Sequence, residues 1–141
     1  MCPTSSARAD AGLSPETTRG VGAQVIDGGA RLAIYIPDVT SQRTLANVRA
    51  TRAVAAAFSR PHDHKTLQIK GMTTDVRPAD ESDRAVIERY RALLAEQLAF
   101  VGIPRRMTRR FAHWPCHRVE LAVEGVFEQT PGPGAGAPLR P

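Results

Sequence analysis

Cysteine is nearly absent. Cys2 and Cys116 are the only two in 141 residues, too few for a disulfide framework, so a reducing compartment is expected. No CxxC or HExxH spacing occurs, and no metal site is expected. Aromatic residues are scarce as well, with one Trp, two Tyr and four Phe. Val, Leu, Ile and Ala must therefore fill the core. No apolar run approaches the roughly 20 residues of a membrane-spanning helix, so no membrane partner is expected. The N-terminus lacks the apolar stretch of a secretion signal, which points to a cytoplasmic protein. Neither Gly28-Gly29 nor the PGPGAG stretch near the C-terminus has the strand-to-helix setting of a phosphate-binding loop. There is no internal repeat.

What is present fits one domain, 42% hydrophobic, with a formal charge of +5 and a pI near 10. A basic balance favours anionic partners: phosphate-bearing cofactors, nucleic acid or anionic surfaces. Lysine is confined to one place, since Lys65 and Lys70 stand against 17 arginines. Both lie within the alternating stretch HKTLQIKG, His64–Gly71. Thr66, Gln68 and Lys70 point one way there and Leu67 and Ile69 the other, the period of a half-buried strand.

The remaining elements follow from punctuation and period. A short strand is expected near Ser5–Ala9, then a turn at Asp10–Gly12 and a strand over Thr17–Ile26. Asp27-Gly28-Gly29 joins that strand to RLAIYIP in a hairpin ended by Pro37. Ser41 is expected to cap a short helix over Thr44–Thr51. Ala53–Ser59 reads as a buried strand, able to pair with HKTLQIKG so that Phe58 meets Leu67, and the latter strand is expected to run on to Val76. Asp80 and Asp83 open the clearest helix, whose apolar residues recur from Val86 to Val101 before Gly102 and Pro104 stop it. Residues 105–112 suit a short basic helix or loop, and His117–Phe127 a strand. Gln129–Pro141 is expected to lie extended or disordered. Consecutive strands with few helices predict a small antiparallel barrel rather than alternating βαβ units.

Three constellations have ordinary explanations. His62, Asp63 and His64 share a loop, and His113, Cys116 and His117 come later, but their spacings suit loop and surface histidines better than a metal. Cys116 has a histidine beside it and no third orienting group, so it is not expected to be a nucleophile. Arg105, Arg106, Arg109 and Arg110 near Phe111 and Trp114 have the composition of a nucleic-acid grip, yet the cluster is short. A solvated basic surface is expected there, with weak, salt-sensitive binding and no specific nucleic-acid partner.

The hairpin, RLAIYIP, SQRTLANVRATRAVAAAF and HKTLQIKG together resemble the FMN-binding split barrel of the pyridoxamine 5′-phosphate oxidase-like proteins, over about residues 5–127. The closing VFEQTPGPGAG is similar to small members of that group. The resemblance implies a mainly β fold, a β-barrel with side helices over residues 1–127, with a long helix near 80–101 and a Pro/Gly-rich tail over 128–141. It implies FMN as cofactor, a homodimer with the flavin between subunits, and flavin-dependent oxidoreductase activity on an unknown small-molecule substrate. Ser41, Gln42, Arg43 and Thr44 are the implied phosphate group at a helix start; Lys65, Thr66 and Gln68 are implied beside the flavin, and Arg19 matches an arginine of the second strand. Arginine binds phosphate bidentately and a helix N-terminus adds backbone donors. The sequence departs from the pattern in lacking the phosphate-group lysine and the Trp- and Arg-containing C-terminal segment of the oxidase proper, so pyridoxamine phosphate oxidation is not expected. Two alternatives stay open. One is a non-enzymatic binder of flavin or another small ligand, haem included, which His62, His64, His113 and His117 permit. The other is a basic nucleic-acid-binding module.

Overall fold

The computed structural model describes residues 2–7 and 14–140. Its elements are β1 (Cys2–Ala7), β2 (Glu16–Arg19), β3 (Gly22–Ile26), β4 (Arg31–Pro37), α1 (Asp38–Thr51), β5 (Ala53–Ser59), β6 (Thr66–Pro78), α2 (Glu81–Phe100), α3 (Arg105–Thr108), β7 (Cys116–Glu128) and β8 (Pro138–Arg140). The strands form one antiparallel sheet in the order β2-β1-β5-β6-β7-β4-β3, with β8 added to β7. β2 and β3 stand at opposite ends of that order, yet only Gly20 and Val21 separate them in the chain. Such a link reaches about 11 Å at most. The sheet must therefore curl until its two edges nearly meet, and the result is a split barrel. The single strand expected over Thr17–Ile26 is thus two strands. The period-two pattern continues through the corner, so only Gly20 could have marked it.

The barrel interior holds Leu32, Ile34 and Ile36 of β4, Val119 and Leu121 of β7, and Val54 and Ala56 of β5. α1 contributes Leu45 and Val48 and packs against β2, β1 and β4 on both sides of the seam. It begins at Asp38 with Pro37 as N-cap, six residues before the expected start. Pro37 ends β4 because it has no N–H to donate, and its φ of −67° leads directly into a helix. Arg52 closes α1 in the left-handed region at φ 61°. That unfavourable conformation is held by its guanidinium, which donates to Thr73 O from Nε at 3.0 Å and Nη2 at 2.9 Å.

The expected pairing of β5 with β6 is present, with Phe58 directly opposite Leu67. The register of β6 on β7 shifts between Lys70 and Gly71 and again between Thr73 and Asp75. Gly71 is required at the first shift, where a Cβ would lie 2.0 Å from Ala122 O. β1 covers Cys2–Ala7 rather than Ser5–Ala9, and the turn expected at Asp10–Gly12 lies outside the described residues. The end of the tail is extended, as one of the two expected alternatives has it. β7 outruns β4, whose last partner is Ala122, and β8 fills the exposed edge by pairing Phe127 with Pro138. The loop before it is tied by Gly136 N to Glu128 O at 2.6 Å. Unpaired backbone groups on β7 explain why a Pro/Gly-rich segment folds back here.

α2 lies outside the barrel. Ile87 is fully buried against Val21, Tyr35 and Cys116, with Val86 and Trp114 at the margin. The expected capping box is present: Asp80 accepts from Ser82 N at 2.9 Å, and Asp83 from Asp80 N at 3.0 Å. Asp83 does more than cap. It is 5% exposed, accepts from Tyr35 Oη at 2.9 Å, and forms an ion pair with Arg77 at 2.7 Å. Burial pushes its carboxyl up, but Arg77, the Asp80 amide and the Tyr35 hydroxyl outweigh burial and hold it below the usual range.

A carboxylate whose folded pKa is depressed contributes stability above its unfolded pKa of about 4, lost as pH falls through the folded value. Asp83→Asn is therefore expected to destabilise the fold by about 1.5–3 kcal/mol at neutral pH, the range for hydrogen bonds to a charged group, by leaving half-buried Arg77 with only Asp80 at 3.5 Å. Urea denaturation of both proteins from neutral to acid pH should show the gap narrowing below about pH 4. A gap independent of pH would mean that the charge of Asp83 contributes nothing.

Candidate functional site

The residues singled out in the sequence fall into two groups. Arg19, Ser41, Gln42, Arg43 and Thr44 gather where β2 meets the first turns of α1. Ser41 is not a cap: it is fully buried, with its hydroxyl 2.8 Å from Thr18 Oγ1, and it ties the helix to β2. Thr44 is buried one helical turn on, and Gln42 is exposed. The Arg43 side chain is 79% exposed and reaches Glu16 at 2.8 Å. Arg19 extends over the Phe111 ring, 4.7 Å from its centre.

Lys65, Thr66 and Gln68 lie elsewhere, at the β5–β6 hairpin end. Thr66 Oγ1 donates to His64 O at 2.8 Å, and Gln68 accepts from Gln129 at 3.4 Å. Lys65 is exposed in the loop before β6, and its charge helps to hold Glu128 below the usual carboxylate range, after the Thr130 hydrogen bonds. The registers align Arg19 with Thr4, Thr4 with Ala57 and Ala57 with Gln68. Three strand spacings, about 14 Å, therefore separate the groups along the sheet.

A cleft opens beside the first group. It has a volume of about 370 Å³ and is walled by Thr17, Arg19, Val21, Thr40 and Phe111. A narrow gap past Arg91, Thr108 and His113 leads from Arg19 towards a second hollow of about 290 Å³ between α2 and α3, which Arg91, Arg105, Arg109 and Glu88 line. Arg19 has no acidic partner among the described residues. An unpaired guanidinium, threonine hydroxyls, a helix start and an aromatic face can hold an anionic group attached to a planar ring. Sequence reasoning missed Phe111, on which Arg19 lies, and Thr17 and Thr40, which line the same cleft. Arginine beside an aromatic was visible at 105–111, but nothing local links that segment to β2.

The groups suited to catalysis are sequestered. Burial, then the nearby Asp38 and Asp83, push the Cys116 thiol up to about 12. Burial and the bond to Asp83 push Tyr35 up to about 12 as well. Each histidine placed near an acid or amide has its own: His62 Nδ1 lies 3.0 Å from Gln97 Oε1, His113 Nε2 3.8 Å from Glu88, and His117 Nδ1 2.6 Å from Asp38. No three His, Cys, Asp or Glu side chains converge among the described residues.

No protein-family model matches the chain, and no curated protein is similar to it in sequence. Solved structures are similar in fold. HupZ of Group A Streptococcus shares 13% identity at a TM-score of 0.56, over 96% of this chain and 89% of that one. A pyridoxamine 5′-phosphate oxidase-related, FMN-binding protein of Nostoc punctiforme shares 13% at 0.50, over 94% and 76%. The chain thus has the split-barrel fold of the pyridoxamine 5′-phosphate oxidase-like proteins, with mostly antiparallel sheet and a few helices. No helix among the described residues is long and apolar enough to cross a membrane.

A thiol raised this far is almost wholly protonated at neutral pH. In a Cys2→Ser background, Cys116 is expected to react with a thiol reagent at least about a thousandfold more slowly in the native state than in urea. Rapid native labelling would show that Cys116 is reachable and ionised.

Proposed function

We propose that the protein binds FMN in the Arg19 cleft and serves as a flavin-dependent oxidoreductase on an unknown small substrate. One observation carries the reading: the unpaired Arg19 guanidinium lies beside the start of α1 in a fold shared with an FMN-binding protein. Arg19 and the first turn of α1 would hold the phosphate, with Thr17 and Thr40 supplying hydroxyls. Arg43 would join by leaving Glu16, an exchange of one surface ion pair for another. Phe111 would cover an apolar ring and exclude water. Bound flavin supplies hydride chemistry, and the protein supplies position and electrostatics. A flavin-binding protein without turnover is the second reading, favoured by the burial of Cys116 and Tyr35.

The same proposal makes the protein a homodimer. The outer face of β5 and β6 carries Ala53, Ala55, Ala57, Gln68, Lys70 and the exposed Met72, with Lys70 Nζ 4.7 Å from the centre of the Phe127 ring. This flat face suits an isologous contact. Lys65, Thr66 and Gln68 from a second copy would then complete a cleft that they do not reach within one chain. β8 is paired to its own β7, so the tail would act by shaping that edge.

Calorimetry on refolded, cofactor-free protein is expected to give micromolar or tighter FMN binding and weaker FAD binding. Arg19→Ala should cost roughly 1.5–3 kcal/mol, the range for hydrogen bonds to a charged group, with Arg43→Ala similar and Lys65→Ala smaller. Absence of FMN binding would sink the reading, and unchanged binding in the Arg19 and Arg43 variants would misplace the site. Sedimentation should show a dimer at micromolar concentration, converted to monomer by Ala57→Glu. A monomer that holds FMN would remove the shared site.

A further inference from the structure

We propose that the α2–α3 corner is a docking surface for an acidic segment of a partner polypeptide. Two independent features coincide there. The first is exposed apolar surface: Phe100 is 81% exposed, Met107 54%, Val101 43% and Ile103 37%. Large apolar side chains crowded into eight positions are unusual on a small protein that could have buried them. The second is charge. Arg105, Arg106, Arg109 and Arg110 are all exposed, and none has an acidic partner among the described residues. Three other arginines near α2 are used: Arg77 pairs with Asp83, Arg84 with Glu81 and Arg91 with Glu88. The corner therefore has unsatisfied demand of both kinds, and Met, Arg and aromatic residues are those that dominate interface energetics.

The shape selects the occupant. Gly102 turns the chain at φ 91° and leaves a hollow of about 490 Å³ between Ile103, Pro104, Met107, Arg110 and Phe111. A concave apolar hollow beside arginines takes an anchoring side chain with carboxylates flanking it. A second copy of this chain is disfavoured, because a C2 contact here would bring the same arginines face to face. A bilayer presents no single anchor for the hollow. A phosphate backbone satisfies the arginines and leaves Ile103 and Met107 exposed. Phe111 lines both this hollow and the Arg19 cleft, so an occupant would touch a wall of that cleft.

The test is selection of random peptides displayed on phage against the full chain, followed by calorimetry with a synthesised winner. Enriched peptides are expected to carry Asp and Glu around an aromatic residue or Leu. Binding should fall at least about tenfold in Ile103→Ser/Met107→Ser, and again in Arg106→Gln/Arg110→Gln, with circular dichroism unchanged. These side chains are exposed, so the substitutions remove surface and not core. Raised salt should weaken the parent and leave the arginine variant nearly unaffected. Failure to enrich acidic peptides, or winners that bind all variants equally, would overturn the proposal. So would corner-dependent binding to phosphatidylcholine–phosphatidylserine vesicles at about three to one, or to DNA, without peptide binding. FMN affinity is not among these readouts, so the docking surface and the flavin reading fail separately.

Discussion

Asp83 is the constraint on which the arrangement outside the barrel depends. One carboxylate completes the capping box of α2, accepts from Tyr35 on β4 and pairs with Arg77 on β6. Arg118 on β7 stands 3.9 Å away and passes the chain of charges on to Glu120, which Arg31 also contacts. Three neighbouring strands are thereby linked to one helix end. Ion pairs of this kind add little net stability but are costly to break singly, so they select a geometry more than they deepen it. The orientation of α2 is what places Arg91 and α3 against Phe111, and so shapes both the Arg19 cleft and the corner beyond it.

The barrel beneath is held by covalent economy and close backbone approach. A two-residue link between the outermost strands leaves the sheet no option but to curl. Curling needs bulges, and the shift at Gly71 supplies one where no side chain fits. Arg52 accepts a left-handed conformation at the end of α1 because Thr73 rewards it with three contacts, two from the guanidinium and one from its own amide to Arg52 O at 2.7 Å. Thr73 belongs to the stretch of β6 where the register shifts. The end of α1 and the bend in the sheet are therefore one feature.

Local signals were readable in the sequence and relational ones were not. α2 could be read from Asp80 to Gly102 because cap, period and terminator all lie within the segment itself. The hairpin at Asp27–Gly29 was readable for the same reason. α1 is longer than its local pattern suggests, since Pro37 both ends a strand and starts a helix. Ser41 looked like a cap by residue type; burial against Thr18, 23 positions earlier, gives it another role. The tail's composition excludes helix and central strand and leaves extended or disordered chain open, and only the length of β7 relative to β4 shows which edge it meets. The candidate site was half readable. Arg19, Ser41, Gln42, Arg43 and Thr44 do gather, while Lys65, Thr66 and Gln68 stay three strands away, a distance that no one-dimensional pattern reveals.

Charge distribution connects these features. The formal excess is +5, but the acids are not spread evenly against it. Asp27, Asp63, Asp83, Glu81, Glu88 and Glu120 are each engaged with a specific arginine. Such pairs cancel locally and are screened within about 8–10 Å. Of the described basic residues without an ion pair, Arg19 and Arg105–Arg110 lie on either side of Phe111, while Arg49 on α1, Arg89 on α2 and Lys65 and Lys70 about β6 lie apart from them. The Phe111 ring carries Arg19 4.7 Å from its centre and also lines the hollow beyond α3. The two places share a side chain as well as a sign.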